Sequence, residues 1–485
     1  MDARSRWSRV VTLLFACAAF VLAMVASRNG PGVTTDSTVY VATARNLAEG
    51  SGLTSWSGAS MTVFPPGLPI TLAAGAKLGI DVLDTARWLN AAAFAALVAL
   101  TFVLAKRHVD REWLAVGAAG LALVAQSLLM TASTVWSEAA FNCLVVAQLV
   151  TLEKVVARKA GDTRMLVLAS VFASAAFLCR YAGMTLILFS LIVVAYSVRH
   201  EPRAAMWRRV LTYTIPAVLF PIAWIIRNVV EGAGPLGDRS PSNETVGHVF
   251  RTFVSGLADL TVDTRVPSML RWIALVAVVA VVGAAVALFG TGRIPHTRPV
   301  PGVVLAFIVV YAVYLLASEL LTRLDAVGGR LMTPILVPMI VVVVWALDQL
   351  IRIPRLDSRS VTLWCAAVLL IWLAAGIALS ANRAGKVGDA GSGFASEGWQ
   401  RSPLIAAVRR LPRSAHVFSN AGGAVYYLTG RHPVEDLSAF RARRNGAPVY
   451  LAIFNDRDDP AVDGGTGGLI VVASVSDGTL YRSRP

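Results

Sequence analysis

Apolar stretches of membrane-spanning length alternate with short polar joints over the first 380 residues. A helix needs roughly 20 apolar residues to cross the hydrocarbon of a bilayer. Runs near 10–27, 87–105, 113–131, 138–157, 165–179, 181–198, 210–228, 272–290, 300–318, 331–349 and 361–380 meet or approach that length, so about eleven transmembrane helices are predicted. Leu68–Ile80 is shorter and marked by Gly and Pro, which suits an interfacial or re-entrant helix better than a span. Beyond Ala381 the apolar runs shrink to strand length. Ala415–Phe418, Pro448–Phe454 and Leu469–Ala473 read as strands, and Pro403–Leu411 and Ala424–Leu428 as helices, the latter closing at Gly430. The expected fold is a polytopic α-helical membrane domain over 1–380, with a first outer loop at 28–86, followed by a small α/β domain over 381–485.

Composition and charge narrow the class. The chain has 485 residues, 56% hydrophobic and 15% charged, which does not fit an ordinary soluble domain. Lys and Arg outnumber Asp and Glu by 44 to 29. This excess does not point to nucleic acid, because it sits in short loops between spans. Arg4, Arg6 and Arg9 precede the first span; Lys106, Arg107 and Arg111 follow the second; Lys154, Arg158, Lys159 and Arg164 follow the fourth. Further groups follow at Arg199–Arg209, Arg293–Arg298 and Arg352–Arg359. The positive-inside rule then places the N-terminus in the cytoplasm and the C-terminal domain outside. High Ala, Val and Arg usage suits a bacterium with a GC-rich genome, hence a bacterial plasma membrane. Met1–Ala26 reads as an uncleaved first helix rather than a signal peptide, since its apolar run is long for one. The four cysteines show no metal or disulfide spacing.

Candidate chemistry gathers at the outer ends of the spans. Ser37–Glu49 places Tyr40, Ala44 and Leu47 on one helical face before Gly50, as in an amphipathic helix lying on the outer surface. Asp36 at its start has two readings: an N-cap, engaged by backbone N–H groups, or a carboxylate free to act on a bound substrate. Glu138 opens the fourth span after Trp136, where the helix dipole alone favours it. Together the two carboxylates could activate a hydroxyl or hold a divalent cation. Arg180-Tyr181, Arg227-Asn228 and Arg330 lie on the same side, against the inside bias. Phosphate binding by paired N–H donors is one reason for arginine there; snorkelling to lipid headgroups is another. Glu319 and Asp325 could neutralise Arg323 or Arg330.

This pattern resembles the GT-C membrane glycosyltransferases, in particular the protein O-mannosyltransferase and aminoarabinose-transferase branch. The matching residues are Asp36, Tyr40 and Gly50 in the first outer loop, then Phe64-Pro65-Pro66-Gly67-Leu68-Pro69. Glu138 opens the fourth span, and Arg330-Leu331-Met332-Thr333-Pro334 opens the tenth. The resemblance implies transfer of a sugar from a polyprenyl-phosphate carrier to an acceptor on the outer face, the acceptor being a glycan, a lipid or a protein. It implies Asp36 as general base, Glu138 as a second acidic group, and Arg180 and Arg330 as phosphate ligands, with Tyr40, Tyr181 and Arg227 as further substrate-binding candidates. Thr35-Asp36-Ser37 lacks the adjacent acidic residue of many relatives, and the Pro-rich segment lacks the Glu that binds metal in aminoarabinose transferases. No cofactor is assigned, and a divalent metal stays open. A transporter or lipid flippase is the alternative; it would carry ionisable residues near span centres, where these spans have few.

Overall fold

The computed structural model describes residues 3–157, 162–261, 266–290, 298–322, 329–353, 358–434, 449–455 and 469–483. In chain order the helices are α1 (Ala3–Ala26), α2 (Thr35–Glu49), α3 (Gly67–Lys77), α4 (Val82–Ala105), α5 (Glu112–Val124), α6 (Gln126–Ala132), α7 (Glu138–Ala157), α8 (Thr163–Cys179) and α9 (Gly183–Ser197). They continue with α10 (Arg203–Val230), α11 (Val246–Thr261), α12 (Ser268–Gly290), α13 (Gly302–Leu321), α14 (Thr333–Leu350) and α15 (Ser358–Ala390). Three short ones follow, α16 (Glu397–Gln400), α17 (Pro403–Arg409) and α18 (Gly422–Thr429).

Among the described residues, eight helices are long and apolar enough to cross a bilayer, and α5 with α6 forms a ninth segment bent by 57°. The apolar helices α8 and α9 have 17 and 15 residues. At 1.5 Å per residue they reach about 25 Å, short of a full crossing. Together these account for the eleven predicted segments. The outward face of α15 is hydrocarbon: Leu363, Trp364, Leu370 and Ile371 are 67–73% exposed. An apolar surface of that kind is stable against lipid, not water. The chain is an integral membrane protein. The composition change at Ala381 falls inside α15, which runs on unbroken to Ala390.

One end of the bundle gathers the basic loops. Arg111 and Arg352 both pair with Asp348, which is fully buried at the end of α14. Arg298 and Arg352 pair with Asp110, and the Asp110 backbone N–H donates to Asp348 Oδ2 at 3.0 Å. Ser8 of α1 reaches Glu112 there as well. Arg158, Lys159, Arg293 and Arg355 lie outside the described residues.

At the opposite end, extended backbone after α1 stitches three parts of the chain together. Gly32 N–H donates to Ser133 O at 2.8 Å, and Val135 N–H donates to Gly32 O at 2.9 Å. On its other side, Val33 N–H donates to Ser392 O at 3.2 Å and Phe394 N–H to Val33 O at 2.6 Å. The stretch leading to Asp36 is therefore fixed against the stretch leading to Glu138 and against the linker into the C-terminal domain. Gly393 makes the second seam possible. Its φ is +58°, and an added Cβ would lie 2.1 Å from Val33 O. Gly393→Ala is expected to cost about 2 kcal/mol or more, read as a lower unfolding temperature in detergent micelles.

The helix after this seam corrects one expectation. α2 is not a surface helix with a single buried face: Ser37, Thr38, Val41, Ala42 and Thr43 are buried along with Tyr40 and Ala44. Its small side chains let α3, α4 and α18 approach it closely. Gly50 ends it in the left-handed conformation, φ +88°. α3 has only 11 residues and does not span.

The C-terminal part carries a four-stranded sheet in the order β1-β2-β4-β3, with β1 (His416–Ser419), β2 (Val449–Phe454), β3 (Ile470–Val475) and β4 (Gly478–Arg482). β1 and β2 are parallel, and β4 is antiparallel to both of its neighbours. β4 was not expected from the sequence; the Asp477-Gly478 turn signal lies between two short runs. Leu404, Ile405, Val408, Ala424 and Val425 pack with Phe454 and Leu480 in the core that also holds Tyr40, Val41 and Leu72. Membrane-end loop and sheet share one apolar core. The amphipathic α11, within the long loop after α10, was also not foreseen; it packs against α12, α13 and the turn before α14.

Candidate active site

Four elements converge at the stitched end. Asp36 enters from the first turn of α2, but it does not cap that helix. The N-cap position belongs to Thr34, and no side chain makes a capping bond there. The expected cap is replaced by an ion pair: Arg330 Nη2 donates to Asp36 Oδ2 at 2.6 Å. Glu138, the first residue of α7, is 1% exposed. Its Oε1 lies 2.6 Å from Arg180 Nη1 and 3.6 Å from Arg330 Nη1, ion pairs without hydrogen-bond alignment, and among the described residues Oε2 has no hydrogen-bond partner. A buried carboxylate oxygen without a donor is costly.

Each arginine is delivered by a break in helical structure. α8 stops at Cys179, and Arg180 is extended (φ −152°, ψ 139°) before α9 begins. Arg180 Nη1 also donates to Ser137 Oγ at 3.3 Å. Arg330 sits in the 3-10 turn Gly329–Met332 ahead of α14, with its guanidinium 4.6 Å from the centre of the Trp136 ring. That stacking favours a planar cation. Trp136 Nε1 donates to Thr34 Oγ1 at 2.9 Å, tying the ring to the start of α2. Arg323 and Asp325 lie outside the described residues.

Tyr40 is 2% exposed, with its hydroxyl 3.4 Å from Ser137 Oγ. Burial pushes its phenol well above the ordinary value, against the pull of Arg180. It therefore stays protonated beside the ion pairs. Tyr181 and Arg227 serve another part of the same end. Tyr181 Oη donates to Thr62 O at 2.7 Å and accepts from Trp224 Nε1 and Asn228 Nδ2 at 3.0 and 2.9 Å. Arg227 donates to Met61 O at 2.6 Å and to Leu53 O at 3.4 Å. These two residues fasten the 53–62 loop to α10.

The donor set does not suit a divalent cation. Both carboxylates are held by guanidinium groups, and no cluster of three or more His, Cys, Asp or Glu side chains able to hold a metal occurs among the described residues. Ser137 and Asn142 had no assigned role in the sequence, although a polar amide inside an apolar span is a signal in itself.

No protein-family model matches the sequence, and comparison with curated proteins finds no match. Solved structures do match. ArnT from Cupriavidus metallidurans, bound to undecaprenyl phosphate, is 16% identical, with 97% of each chain covered and a TM-score of 0.60. Its apo form gives 13% identity, 100% and 99% coverage and a TM-score of 0.64. Arabinofuranosyltransferase AftD from Mycobacteria is 17% identical over 99% of this chain and 40% of its own, with a TM-score of 0.55. The archaeal oligosaccharyltransferase AglB from Archaeoglobus fulgidus, in complex with an inhibitory peptide and a dolichol-phosphate, is 14% identical over 94% of this chain and 70% of its own, at a TM-score of 0.50. At such identities the likeness shows the fold alone: this chain has an ArnT-like architecture.

Proposed function

We propose that the protein is a polyprenyl-phosphate-sugar-dependent glycosyltransferase acting at the outer face of a bacterial plasma membrane. The single observation that carries this reading is the convergence of Asp36, Glu138, Arg180 and Arg330 from four separate elements at one end of the bundle. A phosphate leaving group needs guanidinium charge, and an acceptor hydroxyl needs a carboxylate within reach. The fold neighbours support the donor class, since ArnT and AglB were solved with polyprenyl and dolichyl phosphates.

In this reading Arg330 exchanges Asp36 for the donor's phosphate, and Arg180, held by Glu138, supplies a second positive group. Asp36 then accepts the proton of the acceptor hydroxyl. The acceptor oxygen forms a bond to the sugar's anomeric carbon, the bond from that carbon to the phosphate oxygen breaks, and polyprenyl phosphate leaves with the electron pair. Tyr40 lines the site, and Tyr181 and Arg227 hold the loop that borders it. The basic end of the bundle faces the cytoplasm, and the sheet lies outside.

The test is transfer in membranes containing the protein, using a panel of labelled polyprenyl-phosphate hexoses and pentoses with nucleotide sugars as controls. Label is expected to move to an endogenous acceptor from a lipid-linked donor and not from nucleotide sugars. A lipid-linked sugar that crosses the bilayer intact, with no transfer, would instead establish a flippase.

A further inference from the structure

The catalytic geometry proposed above depends on where the Gly329–Met332 turn holds Arg330, and that turn is braced from below by two buried polar side chains. Thr333, the first residue of α14, and Asn142, one turn below Glu138 on α7, are 1% and 2% exposed. Thr333 Oγ1 is 2.7 Å from Arg330 O, and Asn142 Nδ2 is 3.0 Å from Thr333 Oγ1. A hydroxyl has one proton. The shorter contact takes it, so Thr333 donates to the Arg330 carbonyl and accepts from the Asn142 amide. A chain of two bonds thus runs from the helix that carries Glu138 to the backbone of the residue that binds Asp36. Tyr311 Oη adds a contact to the next carbonyl, Leu331 O, at 3.4 Å.

We propose that Asn142 and Thr333 are positioning residues that fix Arg330 for the donor's phosphate, an inference that rests on the glycosyltransferase reading. An amide at membrane level is costly unless bonded, and charged or polar groups there commonly mark functional sites. Here the amide joins the two halves of the ion-pair cluster through one hydroxyl. Glu138 and Asn142 lie four residues apart, on one face of α7. The same helix face therefore sets a carboxylate toward Arg330's side chain and a donor toward its backbone brace. A guanidinium displaced by about 1 Å loses bidentate alignment, and misplacement on that scale costs up to roughly a hundredfold in rate.

The test measures binding of undecaprenyl phosphate to the purified full chain, together with sugar transfer. Thr333→Val removes the hydroxyl and keeps the shape; Thr333→Ser keeps the hydroxyl. Asn142→Leu is the independent variant. Thr333→Val and Asn142→Leu are expected to weaken lipid binding roughly tenfold or more, with Thr333→Ser close to native. In an Arg330→Gln background, Thr333→Val should add nothing further, because both act through one group. Native-level binding by Thr333→Val, or equal losses for Val and Ser at the same unfolding temperature, overturns the positioning role. Losses that add to that of Arg330→Gln overturn it too. A native chain that binds no undecaprenyl phosphate overturns the enzyme reading and this inference with it.

Discussion

Asp36→Asn is expected to abolish sugar transfer, lowering the rate by roughly 10²- to 10⁴-fold, the range associated with losing a general base. The substitution keeps the shape and leaves an amide oxygen that can still accept from Arg330. Folding should therefore survive, because Asp36 caps no helix and its first-turn position is backed by the buried run Ser37–Ala44. The ion pair itself gives the second part of the prediction. With the carboxylate's charge gone, Arg330 is held at that 2.6 Å contact only by a neutral amide and is freer to bind phosphate. Asp36→Asn should thus bind undecaprenyl phosphate at least as well as the native chain while transferring nothing. Isothermal titration with the lipid and a transfer assay on the same preparation check both halves. Native transfer rates in the variant would return Asp36 to a structural ion pair.

Glu138→Gln has the largest expected effect on stability. Glu138 is buried beside Arg180 and within reach of Arg330. Removing one partner of a buried pair leaves the other charge without compensation, at a cost of about 3–5 kcal/mol. Arg180's side chain keeps 21% exposure, so water offsets part of that and the low end is expected. Changing both partners together, Glu138→Gln with Arg180→Gln, should recover much of the loss, as replacing a whole buried pair is often near neutral. A double-mutant cycle on unfolding temperature in detergent gives the coupling. If Glu138→Gln unfolds with the native protein, Oε1 and Arg180 do not share a low-dielectric site.

Hydrocarbon solvation made much of the fold legible in the sequence. A span must close its own backbone hydrogen bonds, so length and apolarity alone located the described helices of spanning or near-spanning length. Even the weak ones were visible: α8 and α9 follow directly from two short runs separated by Arg180-Tyr181. The C-terminal strands β1, β2 and β3 were legible as short apolar runs rich in β-branched and aromatic residues. α11 was not, because its apolar residues are spread on one face and its 16 residues sit in a polar loop. Nor was β4, whose five residues include Gly, Thr and Arg and gain their place only by pairing with β2 and β3.

The sequence by itself determined the membrane class, the helical segments, the common side of the arginines and the residues to suspect. These are local properties of hydropathy and charge, which neighbours in the chain suffice to reveal. The tertiary structure alone decided what those residues do to one another. Locally, Asp36 had every mark of an N-cap; a guanidinium 294 positions away claims it instead. Tyr181 and Arg227 looked equivalent to Arg180 and Arg330, yet they donate to backbone carbonyls of the 53–62 loop. Whether a charged side chain is a cap, a fastener or part of an ion-pair cluster depends on donors and acceptors brought in by other elements. That information is a matter of long-range packing, and only the closed bundle with its sheet supplies it.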